Sequence, residues 1–408
     1  LSNYEVQDGD TLESIARKQY GIDDKQALIQ NANPGLPETL TPGTNLTTPT
    51  DPDAPTDVVQ NVGTEPDTVS ILVNGQRFRF WESVTLRRSL DAFDTVGFSA
   101  IMDATAPGFK ETFRPFSFQT VEIFIGSTRF FTGTMIGVSP DLQPSTKRVS
   151  VSCYAKPGVL VDCNMPASAY PLQFFDQGLQ EISATLAAPF GIGVEFSANQ
   201  GDTFEDVTCD ISRKVHDFLS DLARQRNLVI SNTADGKMVF QSSIASGQPV
   251  VTIDQGKAPL VEVVPNFNPQ NYYSDVTGIE PTILGLEGAQ FTVKNDKLKG
   301  VIRPHTFVTQ DTQEGAVPAA VNAKMGRMFG NMASYSVRVP TWRDPQDNLW
   351  EPNTIVKLTA PDAMIYNAYD FVIRSVEFTR TPTSFDAILN LVMPGSFSGE
   401  IPEVLPWD

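Results

Sequence analysis

The sequence predicts an α+β, mainly β chain. A small βααβ domain comes first, then a body with two β-barrel-like domains and an interposed helix–hairpin domain. Three observations predict this. The first fifty residues alternate short strand and helix signals between tight turns. A proline-rich acidic stretch follows them. Beyond it, spaced alternating strands dominate and give way only in the middle to helical periodicity.

Residues 4–6 and Asn45–Thr48 read as the two short strands of the first domain, 1–50. Asp10 with Glu13 three positions later has the spacing of a capping box and predicts a helix start at Thr11. Leu12, Ile15 and Ala16 then share one helical face. Gly21 suits a left-handed C-cap. Asp24 would cap a second helix through Ala27, Leu28 and Asn31, which Pro34 stops. Residues 51–67 carry three prolines and five acids, without a basic residue, and read as a linker. Extended at about 3.1 Å per residue, it would span roughly 50 Å.

The first barrel-like domain is expected at 68–165. Val69, Ile71 and Val73 alternate up to Asn74-Gly75, a two-residue hairpin turn, and Phe78 and Phe80 resume the alternation. A second hairpin pairs 121–125 with 129–136 about Gly126-Ser127, and 148–154 is a further strand. The helix–hairpin domain is expected at 166–255. Leu179, Ile182 and Leu186 mark one helix. Val215, Phe218, Leu219 and Leu222 mark another, with Ser212 as its cap. Strands 228–230 and 238–240 turn at Asp235-Gly236. The second barrel-like domain is expected at 256–397, with a helical insertion near 316–330 carrying Val317, Val321, Met325 and Met328. Its strands are 336–339, 354–358, 371–378 and 387–392, and 398–408 is a tail.

The net charge of −18 is unevenly spread. Residues 1–50 hold seven acids and three bases, and the linker adds five acids, so half of the excess lies in the first 67 residues. Such a chain does not hold nucleic acid by neutralising phosphates, and no stable nucleic-acid binding is expected. No apolar run approaches the roughly 18 residues of a membrane span, so no membrane partner is expected. No secretory leader is visible. Three cysteines, Cys153, Cys163 and Cys209, cannot all pair within one chain and read as buried thiols.

Specific residues carry two family resemblances. Tyr4-Glu5-Val6, Gly9-Asp10-Thr11-Leu12, Ile15-Ala16, Tyr20-Gly21, Ile29, Asn33-Pro34-Gly35-Leu36, Leu40, Pro42-Gly43, Leu46 and Pro49 resemble the LysM family in order and spacing. That family's ligands are N-acetylglucosamine polymers such as peptidoglycan. The body resembles baseplate hub proteins of contractile phage tails, the Mu-type hub and late-control tail protein family. Trp81-Glu82-Ser83-Val84-Thr85 with Arg88-Ser89-Leu90 and Phe98 looks like the first barrel entry. Gly133-Thr134-Met135, the strand at 149–154 and Leu160-Val161-Asp162-Cys163 look like its strand pair and turn. Lys214-Val215 through Leu222-Ala223, Asn227-Leu228-Val229 and 235–240 look like the helix–hairpin. Asp347-Asn348-Leu349-Trp350, Pro352-Asn353, Phe371-Val372-Ile373 and 389–394 look like the closing barrel.

The hub resemblance implies a structural virion protein of the tail baseplate, assembled in the host cytoplasm. It implies a homotrimer whose paired barrels form a pseudo-sixfold ring between a sixfold tail tube and a threefold central spike. Implied partners are the spike protein, the tail tube or tube-initiator protein and the baseplate wedge proteins. A tailocin or contractile injection system has an equivalent hub. The LysM resemblance marks Gly9, Asp10, Thr11, Asn33, Pro34, Gly35 and Leu36 as the candidate ligand or docking loops, for peptidoglycan or for a baseplate protein.

The rival is a peptidoglycan hydrolase delivered by its LysM module, and it needs catalytic chemistry. His216 lies inside a helix beside its apolar stripe, and His305 follows Pro304 in a loop without a ligand-spaced neighbour. No HExxH, CxxC, phosphate loop or GxSxG elbow occurs. Asp51-Pro52-Asp53 is a carboxylate pair, but it sits in the expected linker. No catalytic residue, metal site or cofactor is expected.

Overall fold

Short strands and two short helices build the N-terminal unit, Leu1–Thr64, which is separate from the body, Glu65–Asp408. The computed structural model describes residues 2–7, 9–20, 26–37, 40–48, 66–102, 108–143, 146–280, 288–309 and 316–408. In the N-terminal unit β1 (Ser2–Glu5) is followed by α1 (Leu12–Tyr20), α2 (Gln26–Ala32) and β2 (Asn45–Thr48). β1 and β2 pair antiparallel. Val6, Ile15, Ala16, Ile29, Leu40 and Leu46 are buried between strands and helices.

The start of α1 differs from expectation. Thr11 N–H donates to Ser14 Oγ at 2.9 Å, and Ser14 N–H donates to Thr11 Oγ1 at 3.1 Å. The reciprocal box is therefore Thr11 with Ser14, so the helix begins at Leu12. Asp10 is engaged elsewhere than at Glu13: its Oδ2 accepts from Tyr4 Oη at 2.8 Å and Gln7 N–H at 2.9 Å, and its Oδ1 from Ser14 Oγ at 3.3 Å. Gly21, Asp24, the Asp51-Pro52-Asp53 pair and the rest of the expected linker up to Glu65 lie outside the described residues.

The body opens with β3 (Val69–Val73), β4 (Gln76–Phe78), β5 (Trp81–Ser89) and β6 (Thr95–Ile101). Asn74 (φ 51°) and Gly75 (φ 75°) are both left-handed, as a two-residue type I′ hairpin demands. A helical turn, α3 (Phe109–Thr112), leads to β7 (Thr120–Ile125), β8 (Thr128–Gln143) and β9 (Thr146–Ala155). The middle holds α4 (Val159–Asp162), β10 (Gln173–Gln177), α5 (Leu179–Ala187), β11 (Val194–Phe196), β12 (Phe204–Thr208), α6 (Val215–Gln225), β13 (Leu228–Asn232) and β14 (Met238–Ser242). Val215, Phe218, Leu219 and Leu222 of α6 are all buried, as their spacing requires. Ser212 does not cap this helix. Lys214 precedes it in extended conformation, and the first free N–H, that of Val215, is satisfied by Cys163 O at 3.2 Å.

The last third carries β15 (Val251–Asp254), β16 (Glu262–Phe267), β17 (Asp275–Ile279), β18 (Gln290–Lys294), β19 (Pro304–Val308), α7 (Ala316–Met332), β20 (Ala333–Val339), β21 (Ile355–Ala360), β22 (Ile365–Arg380) and β23 (Phe385–Val392). On α7, Val317, Val321, Met325 and Met328 point into the core. A Cβ on Gly326 would lie 2.8 Å from the Gly399 backbone, so only glycine lets the C-terminal segment lie against this helix.

The strand groups at the two ends of the body do not close into two barrels. Thirteen strands form one sheet, in the order β16-β20-β23-β22-β5-β6-β9-β8-β7-β3-β4, with β21 and then β15 branching from β22. No closed barrel occurs among the described residues. The reason lies in β5: one edge pairs with β6 and the other with β22, so the edge that could have closed the first group on itself is used to join the second. No helix among the described residues is long and apolar enough to cross a membrane.

A polar junction fastens the middle of the body to this sheet. Buried Asp94 accepts from Ser89 N–H at 3.1 Å and Asn232 Nδ2 at 3.2 Å, while Asp94 N–H donates to Asn232 Oδ1 at 2.7 Å. Arg88 lies 3.7 Å from the Asp94 carboxylate, donates to Phe130 O at 2.9 Å and pairs with Glu351. Burial pushes Asp94 up to about 7, against the pull of Arg88 and the two donors. At pH values between about 4 and about 7 the folded chain therefore keeps a proton that the unfolded chain has released. This contribution to stability is full at low pH and is lost as pH rises through 7. Urea melts from pH 4 to 8 should show the wild type losing on the order of a few kcal/mol relative to Asp94→Asn as pH rises. Parallel profiles for the two proteins would contradict this.

Candidate functional site

The seven candidate residues of the N-terminal unit lie at two places, just before α1 and just after α2. Most of their side chains are already committed to the unit itself. Asn33 Nδ2 donates to Ile29 O at 2.8 Å and Thr47 O at 2.6 Å, and its Oδ1 accepts from Thr47 N–H at 2.8 Å. It thus locks the end of α2 to β2. Asp10 ties β1 to the turn before α1, and Thr11 caps α1. Leu36 packs against the small core. What faces outward is Gly9, Thr11, Pro34 and Gly35, with Gly9 at φ 82° and Gly35 at φ 91°. Both glycines hold left-handed turns, and a Cβ added at either would meet nothing within 4 Å, so conformation rather than crowding selects them. A ligand here would meet main chain, a hydroxyl and a proline ring.

In the body neither histidine is arranged for catalysis. His216 lies edge-on to Phe93, its ring 3.3 Å from Ser220 Oγ and 3.8 Å from Asp217. Burial lowers its pKa, with Asp217 opposing, so it stays neutral. His305 is not in a loop but in β19, which pairs in parallel with β17, and its ring stacks with Tyr273 at 4.6 Å and with Phe307 at 6.1 Å. Burial and Lys324 both lower its pKa. Cys153 and Cys209 are buried and Cys163 is half-buried; all three are free. Burial raises the Cys153 thiol to about 12 and Cys209 to about 11, which makes both poor nucleophiles. No group of three metal-ligating side chains occurs among the described residues.

The body also has a cavity of about 430 Å³ between α6 and α7. Arg224, Lys324, Arg327 and Arg374 line it with Asp91 and Asp221. Sequence reasoning missed it, since it followed only the apolar stripe of α7. The signal was the pair Lys324 and Arg327, three positions apart beside that stripe.

Comparison with known proteins shows what these two units resemble. Residues 4–49 match the LysM domain, and residues 157–242 match the family "Baseplate hub protein gp44-like, second domain". The baseplate hub protein gp44 of Escherichia phage Mu is 22% identical over 316 residues, covering 72% of this chain and 79% of that protein. The 43 kDa tail protein of prophage MuSo2 from Shewanella oneidensis superposes with a TM-score of 0.68 at 23% identity, covering 80% of this chain and 98% of that one. A tail protein from Neisseria meningitidis MC58 gives 0.67 at 18% identity, with 81% and 98% covered. The body is thus similar to gp44-like, Mu-type baseplate hub proteins, and the N-terminal unit to the LysM domain.

Within the LysM domain, Asn33 is the residue whose loss should be felt most. Asn33→Ala removes three hydrogen bonds and leaves the Thr47 main chain unpaired. It should destabilise this domain by about 1–3 kcal/mol. Hydrogen exchange should show faster amides in β1 and β2 with those of the body unchanged, and unaltered exchange at Thr47 would refute the role.

Proposed function

We propose that the chain forms the trimeric hub of the baseplate, joining the sixfold tail tube to the threefold central spike and letting DNA pass. The observation that carries this reading is the match to the Mu hub protein, which runs through most of the chain and is accompanied by the same fold in two other tail proteins. The surface supports an assembly role. Phe116 is 89% exposed, Ile302 91% and Phe80 72%, apolar side chains that fit contacts with other subunits. The acidic balance of −18 suits a ring through which DNA slides without sticking. Three copies of a chain whose sheet carries a strand group at each end would offer six surfaces to a sixfold tube. Spike, tube or tube-initiator and wedge proteins are the partners in this reading.

Native mass measurement of the hub, alone or with spike or tube protein, should give three copies. Their interfaces should bury roughly 2,000 Å² or more in total. Finding only monomers in assembled tails would overturn the trimer.

The LysM domain, in this reading, docks to another baseplate protein. Its support is that Asp10 and Asn33 are spent on internal bonds, so few side chains are left to read an acetamido sugar. Removing residues 1–64 should leave a folded trimer but impair attachment of surrounding baseplate parts. The body has its own core, so its stability should change little. Normal baseplate assembly by the truncated chain, together with lost binding to purified peptidoglycan, would make the domain a wall-binding device instead.

A further inference from the structure

The cavity between α6 and α7 has an unbalanced set of charges. Its two acids are taken. Asp91 receives both Nε (3.1 Å) and Nη2 (2.8 Å) of Arg374. Asp221 receives Arg224 at 3.0 Å and also Arg213, which is not a lining residue. Lys324 and Arg327 then have no carboxylate within 4 Å among the described residues. Among the described residues Arg327 donates only to two main-chain oxygens, Arg224 O at 3.2 Å and Leu228 O at 3.1 Å. Lys324 stands 5.8 Å over the Phe307 ring at the rim.

Both groups feel this arrangement. The surrounding protein and then Arg224 pull Arg327 down to about 9, and Lys324 is lowered by the surrounding protein, Arg224 and Arg327. Arg327 is only half-buried and Lys324 is exposed, so water at the opening screens them and each keeps its charge at neutral pH. Beside these cations stand Tyr273, Phe307, Met328 and Phe397. A positive rim over aromatic and aliphatic walls is unusual in a chain of net charge −18.

We propose that this cavity is a docking pocket for a carboxylate on an apolar stem, namely a glutamate or aspartate beside an aromatic residue in a segment of a partner protein. The carboxylate bridges Lys324 and the outward side of Arg327, and the neighbouring apolar group rests on Phe307 and Tyr273. Its size fits a few side chains, since sites for small ligands begin near about 300 Å³. The pocket lies wholly within the body, so the inference holds whether or not the chain trimerises.

Titration calorimetry with the intact chain tests it. The probes are the capped peptide Ala-Phe-Glu-Ala, its Ala-Phe-Gln-Ala counterpart and inorganic phosphate. The glutamate peptide should saturate one site, and the glutamine peptide should bind at least about tenfold more weakly, because only an ionised acceptor gains from two cations. Lys324→Gln should weaken the glutamate peptide by a similar factor. This lysine makes no structural hydrogen bond among the described residues, so the variant should fold normally; Arg327→Gln, checked for folding by circular dichroism, is the second. The proposal fails if the two peptides bind alike, if Lys324→Gln binds as the wild type does, or if the glutamate peptide does not saturate at about millimolar concentration. Tighter binding of phosphate than of the glutamate peptide would also overturn the carboxylate assignment.

Discussion

The pairing of β5 with β22 decides the architecture of the body. Without it, residues 69–155 and residues 251–392 would be two separate strand groups, each with an open edge to cover. With it, Val84 to Arg87 gain partners on both sides, and the two groups share one sheet. A central strand of this kind leaves no main-chain donor or acceptor to water. The middle of the chain is then held to the shared sheet by the Arg88 and Asp94 junction. Asn232 brings in the β13–β14 hairpin, and Glu351 brings in the turn before β21. Breaking one member of such a junction is costly because it leaves a buried charge or dipole unmatched.

Local rules made much of this legible from sequence. The Asn74-Gly75 turn, the Gly126-Ser127 turn, the apolar stripes of α5, α6 and α7 and the strands near the C-terminus are all set by residues close in sequence, and all stand where those residues put them. The failures were of another kind. Which strand edge meets which is decided between residues nearly three hundred positions apart, and neither β5 nor β22 carries a mark of its partner. Hence two barrels were expected and one sheet is found. Caps were misread where another partner took the place of the expected one. Tyr4, Gln7 and Ser14 take Asp10, and a distant carbonyl, Cys163 O, serves the first amide of α6 in place of Ser212.

The candidate loops of the LysM domain show a related limit. Spacing located them but could not say which of their side chains were free. Asn33 is spent on three bonds, and each is to main chain, so any residue could stand at Ile29 or Thr47 and leave no trace in the pattern. The cavity of the body was less legible still. It is assembled from α6, α7, β19 and the C-terminal segment, and its excess of positive charge appears only after the pairing of Asp91 and Asp221 has been counted. Composition pointed the opposite way, to an acidic chain.

The β5–β22 ladder also has a mechanical meaning. Its register runs from Ser375 opposite Ser89 to Arg380 opposite Val84, and the strands are antiparallel neighbours throughout. A force drawn along the strand direction loads these bonds together in shear rather than opening them one at a time, as a peeling force would. Any load entering one strand group along that axis would pass to the other through a stiff backbone splice rather than a hinge.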